Sequence, residues 1–169
     1  YALFDTLFKV APDLEIIAED LGDLRAEVLT LRDHYHFRGM RVIEFSFNPD
    51  GMEEDRDHLL VYTGTHDNDP LYAWYQKHTS VERHKMRQYL WNHGYRKHSF
   101  VSDMIDYALH SNADMVIIPM CDWIHGNGST RINLPGTVGK NNWTWRMQNL
   151  SAFEKRIEEI RQSVKDAGR

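Results

Sequence analysis

Leu59-Leu60-Val61-Tyr62-Thr63-Gly64-Thr65-His66-Asp67-Asn68-Asp69-Pro70 is the stretch on which the fold turns. Its first five residues are apolar or β-rich and suit a strand. The seven that follow are too polar and turn-rich to continue a core strand or a helix. A buried strand thus delivers a group of polar side chains at its carboxyl end. Three further runs read the same way. Glu15-Ile16-Ile17-Ala18 follows a Pro-Asp turn and ends in Glu19-Asp20. Met40 to Phe47 carries Val42, Ile43, Phe45 and Phe47 with Glu44 inside it, before a polar and acidic loop over 48–57. Met115-Val116-Ile117-Ile118 closes on Pro119. Short apolar runs of this kind are expected in parallel strands covered on both faces.

Helical patterns separate the runs. Tyr1 to Val10 presents Leu3, Leu7 and Val10 on one face. Asp23 is a cap candidate for a helix bearing Leu24, Val28, Leu31 and Tyr35, with Gly39 as its stop. Ser99 heads a helix to Ser111 in which Val101, Met104, Ile105 and Ala108 align. The last helix has a Ser151-x-x-Glu154 capping box and a stripe of Phe153, Ile157, Ile160 and Val164. A helix followed by four strand-plus-helix units, without linker or repeat, predicts one α/β unit over residues 1–169 with parallel strands. An open doubly wound sheet and a (β/α)8 barrel both satisfy that order. The first turn, Glu19-Asp20-Leu21-Gly22, lacks the glycine-rich cradle of a cofactor-binding doubly wound domain. Gly136-Thr137-Val138-Gly139-Lys140 fails as a phosphate loop because Asn141 stands where Ser or Thr is needed. No cofactor is expected.

The 169 residues are 41% hydrophobic and 27% charged, enough apolar content to bury a core and to exclude whole-chain disorder. With 20 Lys+Arg against 25 Asp+Glu the formal net charge is −5, so the basic excess that drives binding to phosphate backbones or anionic lipid is missing. Neither nucleic acid nor membrane is an expected partner. No apolar run reaches the roughly 18 residues of a membrane span. The single cysteine, Cys121, cannot form an internal disulfide, and a cytoplasmic protein is expected. Tyr1 already stands in a helical pattern, which suggests the downstream piece of a longer polypeptide.

Acidic groups recur at the strand ends: Glu19 and Asp20 end the first strand, Glu44 sits inside the second, Asp67 and Asp69 follow the third, and Asp122 follows the fourth. A barrel turns those ends toward one mouth, where carboxylates from different strands divide acid, base and stabilising roles. The plainer reading of any one of them is a loop or capping group. Glu19 and Asp67 stand out, because each ends an apolar strand among other polar groups. Trp74, Trp123, Trp143 and Trp145, with Tyr62, Tyr72 and Tyr75, lie in or near the same loops and suit the C–H faces of sugar rings. Trp143 and Trp145 are also explained by pinning a long loop to the barrel wall. The pairs His34/His36 and His93/His98 lack zinc-ligand spacing and read as surface histidines, so no metal is expected. His66, at a strand terminus, could donate to a substrate hydroxyl.

Three motifs resemble a known family. Ile16-Ile17-Ala18-Glu19-Asp20-Leu21-Gly22, Tyr62-Thr63-Gly64-Thr65-His66-Asp67-Asn68-Asp69, and Arg131-Ile132-Asn133-Leu134-Pro135-Gly136-Thr137 with Asn142-Trp143 and Trp145-Arg146 are similar, in order and spacing, to amylomaltase. That family comprises the 4-α-glucanotransferases, or disproportionating enzymes, of the α-amylase clan, and the resemblance runs essentially the whole chain. It implies a (β/α)8 TIM-type barrel of which this chain carries strands five to eight, a half-barrel with the N-terminal half absent. It implies transfer of α-1,4-glucan segments from a maltooligosaccharide or α-glucan donor to an acceptor sugar, with retention. Glu19 matches the family's acid/base and Asp67 its transition-state stabiliser. His66 and Asn133 match sugar contacts, and Asp20, Asn68, Asp122 and Arg131 are carried along as substrate-binding candidates. The attacking aspartate belongs to an earlier strand, and no matching motif precedes Glu15. A general acid must hold its proton near neutral pH while the stabiliser stays ionised, and in retaining enzymes the acid/base and nucleophile lie about 5–5.5 Å apart.

The sequence departs from the family at Ile124-His125-Gly126-Asn127-Gly128-Ser129-Thr130, at Cys121 where glutamine is common, and at Pro70 where threonine is usual. The half-barrel is expected to lack transferase activity alone, and, having open edges, either to pair with another copy, edge to edge or by exchange of elements, or to be part of a larger polypeptide. Two other function classes fit parts of the pattern. A metal-dependent barrel hydrolase would use Asp67, Asp69, Glu19 and His66; a non-catalytic glucan-binding module would tolerate Glu19→Gln.

Overall fold

The computed structural model describes residues 1–50, 58–97 and 99–169. Most of the acidic loop, residues 51–57, and His98 of the His93/His98 pair lie outside the described residues. The elements run α1 (Ala2–Val10), α2 (Ala26–His34), β1 (Gly39–Val42), α3 (Ile43–Ser46), β2 (Leu59–Tyr62), α4 (Leu71–Lys77), α5 (Ser80–Asn92), α6 (Phe100–Leu109), β3 (Met115–Ile117), α7 (Met120–Trp123), a 3-10 turn (Gly128–Thr130), α8 (Ser151–Glu154) and α9 (Ile157–Asp166). No helix among the described residues is long and apolar enough to cross a membrane.

Among the described residues the strands form a parallel sheet in the order β1-β2-β3, with Val42 opposite Tyr62 and Tyr62 opposite Ile117. The run at Glu15–Ala18 joins the β1 side in the same direction through one bridge, Ile17 to Arg38. Ala18 N–H donates to the Arg38 carbonyl at 2.7 Å and Arg38 N–H to the Ile16 carbonyl at 3.2 Å. The parallel reading therefore holds, but this run is a bridge with Ile17 exposed rather than a strand covered on both faces. β3 departs in the same way: Met115 and Ile117 are exposed while Val116 and Ile118 pack on the core.

Helices cover the other face. Leu59 and Val61 of β2 pack with Leu71 of α4, Met86 and Leu90 of α5, and Phe100, Val101, Met104, Ile105 and Ala108 of α6. Leu71, Leu90 and Met104 are fully buried, each such side chain stabilising the fold by about 2 kcal/mol. Ser99 caps α6 as expected, its side chain accepting from the Ser102 N–H.

Four local expectations are corrected. The strand expected over Met40–Phe47 stops at Val42, because the chain turns into the short helix α3 that tucks Ile43 and Phe47 into the core. α2 is preceded by Arg25 rather than capped by Asp23, and it ends at Tyr35 and His36, whose φ of 54° breaks the helix before Gly39 enters β1. Its deepest residue is Arg32, while Val28 of the expected apolar stripe is exposed. At the C-terminus Leu150 takes the N-cap position and Ser151 makes no side-chain cap, so α8 lasts one turn before α9 begins.

Candidate active site

All the parallel strands point their carboxyl ends the same way, so the residues after Ile17, β1, β2 and β3 lie on one side of the sheet. Glu19 follows the edge bridge, Glu44 follows β1, Asp67 follows β2 and Asp122 follows β3. One strand, β1, stands between the strand ends that carry Glu19 and Asp67. Neighbouring strands lie about 4.8 Å apart.

Asp67 sits in a turn built by its neighbours. Asn68 Oδ1 accepts from Thr65 N–H at 2.9 Å and from Thr65 Oγ1 at 2.8 Å, and Asn68 N–H donates to the Thr65 carbonyl at 3.1 Å. The Asp67 carboxylate is about half exposed, its side chain at 42%. Asn133 Nδ2 donates to its Oδ1 at 2.6 Å, and His66 Nε2 lies 3.5 Å from the same oxygen. Arg131 Nη2 donates to the Asp67 carbonyl at 2.6 Å while its Nη1 pairs with Asp69 at 2.8 Å. Lys77 pairs with the other Asp69 oxygen. The loop after β3 thus grips the loop after β2. The Asn133 N–H bond to the His66 carbonyl, 3.1 Å, tightens that grip. A cavity of about 680 Å³ opens beside it, with Arg131, Asn133, Asn142 and Trp145 in its lining.

The Trp143 ring lies 4.9 Å from that of His66, tilted by 40°, and is exposed, so it presents an aromatic face near Asp67. Trp74, Tyr75 and Trp123 instead pack against the core. Of the aromatics offered by the sequence as sugar platforms, Trp143 lies against His66 and Trp145 lines the cavity beside Arg131 and Asn133.

Asp20, Asn68 and Asp122 make their hydrogen bonds within the protein. Asp20, with its side chain only 4% exposed, pairs with Arg32 of α2 and accepts from the Met40 N–H of β1 at 2.6 Å. Gly39 allows that approach: a Cβ there would come within 2.6 Å of Asp20 Oδ2. Asp122 accepts from Thr63 Oγ1 at 2.6 Å and from Leu71 N–H at 2.7 Å, and its burial pushes the carboxyl up to about 6. Asn68 is buried in the turn. All three have their polar atoms turned into the protein, so they hold the loops in place. Glu19 is exposed, and its carboxylate has no hydrogen-bond partner among the described residues.

Glu44, which the sequence marks as an acid inside a strand, has no role assigned by sequence reasoning. Its Oε2 accepts from Asn68 Nδ2 at 3.3 Å, and its fully buried Oε1 has no hydrogen-bond partner among the described residues. Burial, and after it the nearby Asp122, pushes this carboxyl up to about 9. The signal in the sequence is a lone acid inside an otherwise apolar run, Val42-Ile43-Glu44-Phe45. Among the described residues no three His, Cys, Asp or Glu form a group able to hold a metal ion. His34 and His36 lie on the surface. His93 stacks on Tyr89 with a ring separation of 4.1 Å.

A family model described as 4-alpha-glucanotransferase matches residues 1–152. The 4-alpha-glucanotransferase of Streptococcus pneumoniae is 36% identical over 154 residues, covering 87% of this chain and 30% of that protein. The chloroplastic/amyloplastic 4-alpha-glucanotransferase of Solanum tuberosum is 33% identical over 157 residues, covering 90% of this chain and 27% of that protein. The solved structure of amylomaltase from Streptococcus agalactiae in complex with acarbose superposes with a TM-score of 0.85 at 26% identity, covering 99% of this chain and 34% of that one. The chain spans about a third or less of the length of each of these proteins. With residues 1–152 matched by that family model, the chain belongs to the 4-alpha-glucanotransferase family.

Proposed function

We propose that this chain forms part of a 4-α-glucanotransferase that moves α-1,4-glucan segments between sugars by a retaining mechanism. Glu19 acts as acid/base and Asp67 as stabiliser, and the attacking carboxylate comes from residues outside these 169. The observation that carries the reading is the grouping of Asp67, Asn133 and His66 at the carboxyl end of β2, with Trp143 beside it. An acidic acceptor, an amide and an imidazole beside an aromatic face suit vicinal sugar hydroxyls and the C–H face of their ring. The acarbose bound by the Streptococcus agalactiae amylomaltase supports a sugar ligand of this kind.

In the first step Glu19 protonates the glycosidic oxygen as the nucleophile attacks the anomeric carbon, so the leaving sugar departs with that proton. In the second, Glu19 takes the proton of an acceptor hydroxyl, which attacks the glycosyl-enzyme and restores the nucleophile. Asp67 meets the hydroxyls of the distorted sugar, and interactions gained there only in the transition state raise the rate. Glu19 is exposed, so the burial that keeps a general acid protonated comes from the bound glucan and the rest of the polypeptide. We place the strands of this chain in the second half of a (β/α)8 barrel, whose strand ends face one mouth. The setting we propose is cytoplasmic, in line with one buried free cysteine.

The experiment is disproportionation of maltotriose by the full-length protein. Release of glucose and longer maltooligosaccharides is expected, with Glu19→Gln and Asp67→Asn each lowering the rate by about 10³-fold or more while maltotriose binding persists. Glucose release unchanged by both substitutions contradicts the reading.

A further inference from the structure

We propose that Glu44 positions the 65–68 turn: its carboxyl, lodged against Gly64 and Asn68, sets the geometry in which Asp67 meets sugar, a role that rests on the glucanotransferase reading above. The geometry supports this from three directions. First, Glu44 N–H donates to the Thr63 carbonyl at 3.2 Å, so the residue is docked on the end of β2 by its backbone. Second, Gly64 leaves room for the side chain, since a Cβ there would come within 2.9 Å of Glu44 Oε1 and 3.1 Å of Asn68 Cβ. Third, the Asn68 amide has one possible orientation. Its oxygen already receives Thr65 N–H and Thr65 Oγ1, so its NH2 must face Glu44 Oε2. Asn68 is the hinge of the turn, and Asp67 precedes it by one residue.

The charge state follows from what surrounds the group. Asp122 and the Cys121 thiol of α7 approach from one side, Asp69 from the loop after β2, and Arg131 from the loop after β3. Burial and the two carboxylates outweigh the single guanidinium, and the carboxyl is pushed up to about 9. Glu44 is therefore a neutral acid at pH 7, able to sit in this pocket where a charge would be expelled. When it ionises, a buried negative charge forms beside Asp122 and Asp69, and the turn loses its seat.

The test uses the full-length protein and maltotriose, with kcat and KM followed from pH 6 to 10 for the wild type, Glu44→Gln and Glu44→Leu. The wild type is expected to lose kcat through a limb centred near pH 9. Glu44→Gln keeps a neutral acceptor for Asn68 and should lack that limb, with kcat at pH 7 within about threefold of wild type. Glu44→Leu leaves Asn68 unpaired and should cut kcat by about tenfold or more with little change in KM. Thermal melts of each variant separate loss of fold from loss of positioning. If the leucine variant does not fold, the pH profile of Glu44→Gln alone decides. Coincident alkaline limbs in the wild type and Glu44→Gln overturn the proposal while leaving the glucanotransferase reading intact. Absence of transfer by the wild type at every pH overturns both.

Discussion

Asn133 donates to Asp67 across 2.6 Å, and this bond ties the loop after β3 to the loop after β2 at the one half-exposed carboxylate of the group. The amide supplies a donor without adding charge, so the carboxylate keeps its other oxygen free for a sugar hydroxyl. Asn133→Ala should therefore lower kcat/KM for transfer by about ten- to a hundredfold, and Asn133→Asp more severely, because two carboxylates then face each other. Steady-state kinetics on the full-length protein checks both, and equal rates for the wild type and Asn133→Asp would contradict the assignment.

The buried pair Arg32–Asp20 fixes the strand end that presents Glu19. Removing the guanidinium takes the Arg32 ion pair from a carboxylate that is 4% exposed, a loss of up to about 3–5 kcal/mol. Arg32→Ala should show that drop in chemical denaturation. The double change Arg32→Met with Asp20→Leu removes both charges and should recover part of it; no recovery would mean that other bonds of these side chains, such as Asp20 to Met40 and Arg32 to Asp33, carry the stability instead.

His125 gives an acid sensitivity with a definite sign. Burial, and then Arg156 at 2.6 Å, pushes its imidazole from 6.5 down to about 4. The unfolded chain takes up a proton near 6.5 that the folded chain refuses until about 4, so this group's share of stability is lost as pH falls through that window. Urea denaturation at pH 7 and pH 4.5 should give a smaller difference for His125→Asn than for the wild type, asparagine being chosen because position 125 has a φ of 53°. Asp122, pushed up to about 6 by burial, contributes with the opposite sign. The difference between variant and wild type is therefore the quantity to read, and parallel pH dependences would contradict the assignment.

The sheet face opposite the helices exposes Met115, Ile117 and Ile17, and Val10, Leu3 and Phe45 are also open to solvent. Exposed apolar side chains beside open strand edges favour association. The 169-residue chain expressed by itself should elute as an oligomer in size-exclusion chromatography with light scattering, and should transfer no glucan. A well-ordered monomer, or glucose release from maltotriose by this chain, would contradict that expectation.

Much of this arrangement is legible in the residues. Leu59–Thr63 reads as a strand because it is apolar and β-rich, and the Gly64–Pro70 turn announces itself by composition; both stand where expected. Parallel order follows from alternation with helices. The end of β1 is not legible, since Ile43, Phe45 and Phe47 suit a strand as well as a helical turn, and only packing against α5 and α6 decides between them. Glu15–Ala18 reads as doubly covered, yet it has one neighbour among the described residues. Asp20 and Asp122 can be named as important but not as framework, because a carboxylate at a strand end looks the same whether it faces a sugar or an arginine. Glu44 can be named as an acid inside a strand, but its role is not legible for a related reason: its character comes from burial beside Asp122 and Asn68, contacts distant in sequence.

The central claim is that Glu19 gives its proton to the leaving sugar while Asp67 holds the reacting ring, and a donor that needs no such proton tests it most directly. Glu19→Gln in the full-length protein should lose transfer from maltotriose by about 10³-fold, yet retain a near wild-type first-turnover burst of fluoride from α-maltotriosyl fluoride, whose leaving group departs without acid help, before the missing base slows later turnovers. Asp67→Asn should lose both. Equal loss of the two reactions in Glu19→Gln, or full retention of both, would contradict the account.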